Sequence, residues 1–193
     1  MGLPEWQSHI FLAMTKEELS SRYLLAVDEI HQNVSVKKSL EEIKDDFFDF
    51  LVDAYLFGVD NVNEMLGTND RADLDEIEEA LFFLIDGETY EDRIEKHYAA
   101  ADQAGMEMLA ESEFHRVYNT GAENTALRNH AWKEWLTMLD DKVRDTHSYL
   151  EGEMVPVGEE FYTFDGDHAL YPGGFQTAQN NAGCRCILWY TAT

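Results

Sequence analysis

The feature that most constrains this chain is a change of periodicity near His130. Before it, apolar residues recur at three- and four-residue steps; after it, short aromatic and β-branched runs are bounded by turn residues. A chain divided in this way is expected to fold as α+β. Residues 1–129 would form a helical N-terminal region. Residues 130–193 would form a small mixed α/β C-terminal domain with short antiparallel strands, packing on helices from about residue 106.

Thr15-Lys16-Glu17-Glu18 and Ser39-Leu40-Glu41-Glu42 both have the capping-box form, in which hydroxyl and carboxylate reciprocally satisfy free backbone N–H groups, so each predicts a helix start. After Ser39, the positions Leu40, Ile43, Phe47, Leu51, Ala54, Tyr55, Val62 and Leu66 mark one apolar face, with Gly58 as a bend and Gly67 as a stop. A third helix is expected from about Ala72 to Asp86, burying Leu74, Ile77, Leu81, Leu84 and Ile85. Thr89 caps a segment carrying Tyr90, Ile94, Tyr98 and Ala101, which Gly105 should interrupt before a helix through Leu109, Phe114 and Val117.

Beyond His130, Trp132 to Leu139 is read as a strand, although its large residues also satisfy helical spacing. Asp141 to Leu150 reads as a short helix closed by Gly152. Met154–Val157, Phe161–Phe164 and Arg185–Tyr190 read as strands, with Asp165-Gly166-Asp167 and Tyr171-Pro172-Gly173-Gly174 as turns.

Composition narrows the function. A chain of 193 residues is long enough to bury a core without staples. No run approaches the ~20 apolar residues of a membrane span, and Met1–Glu5 lacks a basic n-region ahead of the apolar stretch from Ile10 to Met14. A protein made and kept in a cytoplasm is expected. The formal net charge is -25, and between Glu41 and Lys96 nineteen acids face only Lys44, Arg71, Arg93 and Lys96, a net -15. Such a surface repels phosphate backbones, which disfavours direct nucleic-acid binding. It is either a solvated, solubilising face or a surface for a basic partner.

The C-terminal residues carry a pattern. Trp132, Asp140, Arg144-Asp145-Thr146-His147, Leu150-Glu151-Gly152, Phe161, Tyr171-Pro172-Gly173 and Cys184-Arg185-Cys186 follow in an order that resembles the Mu-type head-morphogenesis, or minor head protein, domain of tailed phages. Arg116 to Gly121 is similar to the helix that precedes those elements in the family. Each piece alone is common; their order over about 70 residues is what is specific. The resemblance spans roughly Ala110 to Tyr190 and implies a non-enzymatic structural protein of the phage head, working with portal and capsid proteins. It also implies location in the virion, reached through assembly in the host cytoplasm, and allows a homo-oligomer. One departure is Asn181, where the family commonly has a His before the closing Cys-Arg-Cys.

Cys184 and Cys186 are one residue apart, so in a strand they share a face, and a disulfide so short would be strained; reduced thiols are expected. With His147 they could supply three positions of tetrahedral zinc, His168 or Asp167 offering a fourth. Against zinc stand the non-standard spacing and the common use of Cys as a core residue; no cofactor is the simpler reading. A Cys–His nucleophile would need an oxyanion hole that nothing in the sequence supplies. Asp140 or Asp141 is read as a helix cap and Arg144 as the partner of a carboxylate. Trp132, Trp135, Phe161, Tyr162 and Phe164 are read as core rather than as a base-stacking platform.

Two rivals to the head-protein reading remain. One is an acidic inhibitor or decoy binding a basic host protein. The other is a metal-dependent enzyme or toxin-type transferase, disfavoured because only seven residues follow Cys186 and the helical region lacks a nucleotide-binding glycine pattern.

Overall fold

A computed structural model describes residues 14–85 and 87–193. Met1–Glu5, the stretch from Ile10 up to but not including Met14, and Asp86, the expected end of the third helix, lie outside the described residues.

Helices α1 (Lys16–Asn33) and α2 (Leu40–Leu66) begin at the two expected capping boxes, Thr15 with Glu18 and Ser39 with Glu42. Gly67 closes α2 in the left-handed conformation. Helix α3 (Leu74–Leu81) stops earlier than its periodicity suggested. The chain leaves the helix at Phe82 and Ile85 bridges Glu88 across a turn, which leaves Leu84 exposed and Ile85 only partly buried; Leu74, the first residue of the helix, is exposed as well. Helix α4 (Tyr90–Ala99) has a full capping box, Thr89 with Asp92. The break before α5 (Gln103–Arg128) falls at Ala100–Asp102, not at Gly105. There Ala101 takes a positive φ of 50°, and the Asp102 side chain accepts the Gly105 N–H, placing that glycine inside the first turn.

The two longest helices, α2 and α5, pack against each other through glycines. A Cβ on Gly58 would lie 2.2 Å from the Tyr118 carbonyl oxygen, and one on Gly121 would lie 2.4 Å from that of Tyr55. Both obstacles are backbone, so Gly58 serves close helix approach. Around this crossing lies an apolar core that includes Tyr23, Phe47, Leu51, Ile94 and Phe114. One charged group is sunk beside it: Glu113 of α5, 1% exposed, takes Arg93 of α4 at 2.9 Å and Arg116 at 2.8 Å. Arg116 also donates to the Ala80 carbonyl of α3. Pairing and hydrogen bonding are what make such a burial tolerable.

The C-terminal part contains β1 (Trp132–Leu136), α6 (Asp145–Ser148), β2 (Met154–Pro156), β3 (Phe161–Tyr162), β4 (His168–Ala169), α7 (Ala178–Asn181) and β5 (Ile187–Thr191). An antiparallel sheet of order β2-β1-β5 puts β1 in the middle, and β3 pairs with β4. Only Asp145–Ser148 of the expected Asp141–Leu150 helix is α-helical. The register pairs Lys133 with Tyr190 and Trp135 with Leu188 on one face, and Leu136 with Ile187 on the other. Leu136 and Ile187 join the helical core; Trp135, Leu188 and Tyr190 join a second core with Val62 of α2 and Ala122 and Ala126 of α5. The N-terminal helices therefore pack on the sheet rather than project from it.

Between the two parts lies a buried ion pair. Lys133 Nζ is 2.7 Å from Glu123 Oε1 of α5, donates to the Leu170 carbonyl at 2.7 Å, and sits 5.5 Å from the Phe161 ring centre. Burial pushes the Lys133 ammonium below its ordinary range, and the Glu123 carboxylate opposes this. Glu123 also accepts from the Gly158 N–H and the Tyr190 hydroxyl. Of the aromatics expected in the core, Trp135 and Phe161 are buried, but Trp132 and Tyr162 are exposed because they alternate with the buried positions of β1 and β3, and Phe164 is exposed beyond the end of β3.

Candidate functional site

The motif residues meet in one buried cluster. His147 in α6 turns Nδ1 toward both cysteines, 3.5 Å from Cys184 Sγ and 3.4 Å from Cys186 Sγ, and all three residues are at most 4% exposed. Their ligating atoms lie within 4.8 Å of one another. Both cysteines are free thiols.

The surrounding motif residues hold this geometry. The Arg144 guanidinium donates to the Gln179 and Ala182 carbonyls, tying the entrance of α6 to the loop that carries the cysteines. This corrects the expected Arg144–carboxylate pair. The local need is a fork of donors facing two carbonyls left free around the short α7, which a guanidinium satisfies. Asp140 instead takes Arg185 at 2.7 Å and accepts the Lys142 N–H, so it caps a turn rather than α6 itself, whose entrance has no side-chain cap. Arg185 holds the Asp140 carboxyl below its ordinary range. Gly152, at φ 75°, donates its N–H to the Trp135 carbonyl. Phe161 lies edge-on to Trp135 at 5.0 Å, Trp135 is edge-on to His147, and Phe175 stacks on His147 at 5.1 Å.

Neither expected fourth ligand arrives. Asp167 spends both carboxylate oxygens on the N–H groups of His168, Gln176 and Thr177, the Thr177 hydroxyl and the Asn180 amide. His168 stacks on Tyr162 and faces Glu160. Asn181 uses its side-chain amide to clamp both the N–H and the carbonyl of Phe175.

His115 of α5 was not singled out from the sequence. It is 2% exposed, and its Nδ1 lies 2.5 Å from the Tyr23 hydroxyl of α1. Pro172 and Gly173 form its roof: the Pro172 carbonyl accepts from Asn119, and a Cβ on Gly173, which holds φ 88°, would stand 2.8 Å from His115 Cδ2. The Nε2 atoms of His115 and His147 have no hydrogen-bond partner. No spacing rule could have linked His115 to cysteines so distant in sequence; the one available signal was an imidazole on the apolar side of a long helix.

Burial raises the Cys184 thiol, but hydrogen bonding with Cys186 and His147, together with the nearby His115 imidazole, outweighs it and leaves Cys184 well below the ordinary thiol range. Cys186 is pushed the other way by its hydrogen bond to Cys184 and by burial. Chemically the cluster can hold a soft or borderline cation; as a nucleophile site it is closed to substrate.

A profile described as Phage Mu protein F like protein matches residues 74–189, more than half of the chain. The chain belongs to this family. The match runs from α3 through β5 and takes in every element that builds the cluster except α1. Among curated relatives, the Minor head protein GP7 of Bacillus phage SPP1 is 32% identical over 91 residues, 45% of this chain and 30% of that protein. The NAD(+)–arginine ADP-ribosyltransferase EFV of Enterococcus faecalis (strain ATCC 700802 / V583) is 43% identical over 54 residues, 28% of this chain and 11% of that one. The matches therefore span less than a third of either relative. No solved structure matches. Similarity within this Mu F-like family to a minor head protein supports a structural or assembly role in a phage head.

Proposed function

We propose that this chain is a minor head protein of a tailed phage or prophage, acting with portal and capsid subunits during assembly in the host cytoplasm and retained in the virion. The observation that carries this reading is the family match over residues 74–189. The site is consistent with it, because the motif residues are spent on clamping, capping and core packing around a closed cluster. The helices packed on that body carry most of the negative charge, which suits a docking face for a basic patch on a partner.

Co-expression of the full chain with the portal and major capsid proteins of the same phage tests the proposal. A salt-sensitive complex that survives size-exclusion chromatography is expected. Failure to associate with either, while the chain binds a basic host protein tightly, would favour the decoy reading.

The transferase similarity keeps an enzymatic reading in view. The shared segment, a small fraction of that protein, is read as the same packing module rather than as its catalytic part. Incubation with NAD as ADP-ribosyl donor and an arginine-containing acceptor should yield no ADP-ribosyl product; turnover lost on mutating a single carboxylate would establish the enzyme instead.

A further inference from the structure

We infer that His115, His147, Cys184 and Cys186 form a structural zinc site that staples helix α5 to α6 and to the loop entering β5. Three of the four ligands are already in position. Zinc bound at about 2.3 Å to sulfur and about 2.0 Å to nitrogen with tetrahedral angles sets nitrogen and sulfur about 3.5 Å apart. His147 Nδ1 lies 3.5 and 3.4 Å from the two sulfurs. Both nitrogen–sulfur edges are therefore already at zinc-bound length, and the three ligating atoms lie within 4.8 Å of one another.

His115 supplies the fourth corner. Its ring borders Cys184 but stands outside the group of three whose ligating atoms lie within 4.8 Å of one another, so metal binding would draw it in. The Tyr23 hydroxyl occupies Nδ1 and fixes the ring, while Nε2 is buried without a partner. Metal-bound histidines are ordinarily held this way, one ring nitrogen oriented by a hydrogen bond and the other given to the metal.

Charge favours the same assignment. Two thiolates balance a divalent cation, so a centre with neutral imidazoles is itself neutral and can stay buried; the thiol protons leave to solvent on binding. Two sulfurs and two nitrogens in a tetrahedron select zinc over magnesium or calcium. Four protein ligands leave no open position, which makes the site structural rather than catalytic. A small cleft lined by Lys142, Arg144 and Arg185 reaches the cysteines and gives a path for the metal. The proposal does not depend on the head-protein reading.

The test uses the full chain, purified under reducing conditions, with elemental analysis and cobalt substitution. One zinc per chain is expected, and the cobalt form should show the intense visible bands of a tetrahedral site with thiolate ligands. His115→Gln should weaken zinc binding at least about tenfold in a chelator competition and alter the cobalt bands. His97→Gln, remote from the site, should do neither. Because Cys184→Ser could also disturb folding, thermal melts are run with and without chelator: chelation should lower the wild-type Tm and leave that of Cys184→Ser unmoved. A folded chain that takes up neither zinc nor cobalt overturns the site. Stoichiometric zinc with affinity and cobalt bands indifferent to His115→Gln overturns the four-ligand assignment.

Discussion

Replacing Lys133 by Met should be among the most damaging single substitutions in this protein. Lys133 is fully buried and Glu123 is 2% exposed. Removing the ammonium leaves the carboxylate in the core with only the Gly158 N–H and the Tyr190 hydroxyl as donors. Breaking a buried pair in this way costs about 3–5 kcal/mol, a large share of the roughly 5–15 kcal/mol that holds a domain folded. The second substitution decides the reasoning. Glu123→Gln keeps an acceptor for Gly158 and Tyr190 but removes the charge, so adding it to Lys133→Met should restore about 2 kcal/mol even though it destabilises the otherwise intact chain. Urea titrations followed by circular dichroism would give the four stabilities of the cycle. If Lys133→Met costs under about 1 kcal/mol, or if Glu123→Gln makes it worse, the pair is not a desolvated charge couple and the argument fails.

At the helix crossing, Gly58→Ala and Gly121→Ala should each destabilise by about 1–3 kcal/mol despite the higher helix propensity of Ala, because the new methyl meets backbone; differential scanning calorimetry would read the lowered Tm. Burial raises the Asp167 carboxyl, but hydrogen bonds from Thr177, Asn180 and nearby backbone amides outweigh it and hold it at about 2. The folded value lies below the unfolded one near 3.9, so this contribution is present above about pH 4 and is lost as pH falls through about 2. It amounts to roughly 2 kcal/mol, and Asp167→Asn should flatten that acid limb in pH-dependent urea melts. Arg144→Ala frees the Gln179 and Ala182 carbonyls and should speed hydrogen exchange at the Cys184 amide, which is bonded to the Asn181 carbonyl, without altering exchange in α2. Gly173→Ala should fail to pack His115, giving a lower Tm than Gly166→Ala, whose added Cβ meets nothing although both glycines have positive φ.

What the sequence by itself determined was local. Thr15 with Glu18 and Ser39 with Glu42 place helix starts because a capping box is satisfied within four residues. The turns around Gly166 and Gly173, the strand at Trp132 and the shared neighbourhood of Cys184 and Cys186 were legible for the same reason, and so was the ordered motif set that pointed to the family. What only the tertiary structure decided was every pairing across long separations. Lys133 reads as a surface lysine until β1 is laid against α5, where the face it shares with Trp135 proves to be buried and Glu123 is there to receive it. Gly58 reads as a bend until Gly121 comes opposite. Leu84 fits the apolar stripe of α3, yet the helix ends before it and the chain turns at Gly87 into the Ile85–Glu88 bridge. His115 and Cys184 carry no signal linking them, since a helix and the loop entering β5 are each shaped locally and contact between them is set by the packing of whole elements.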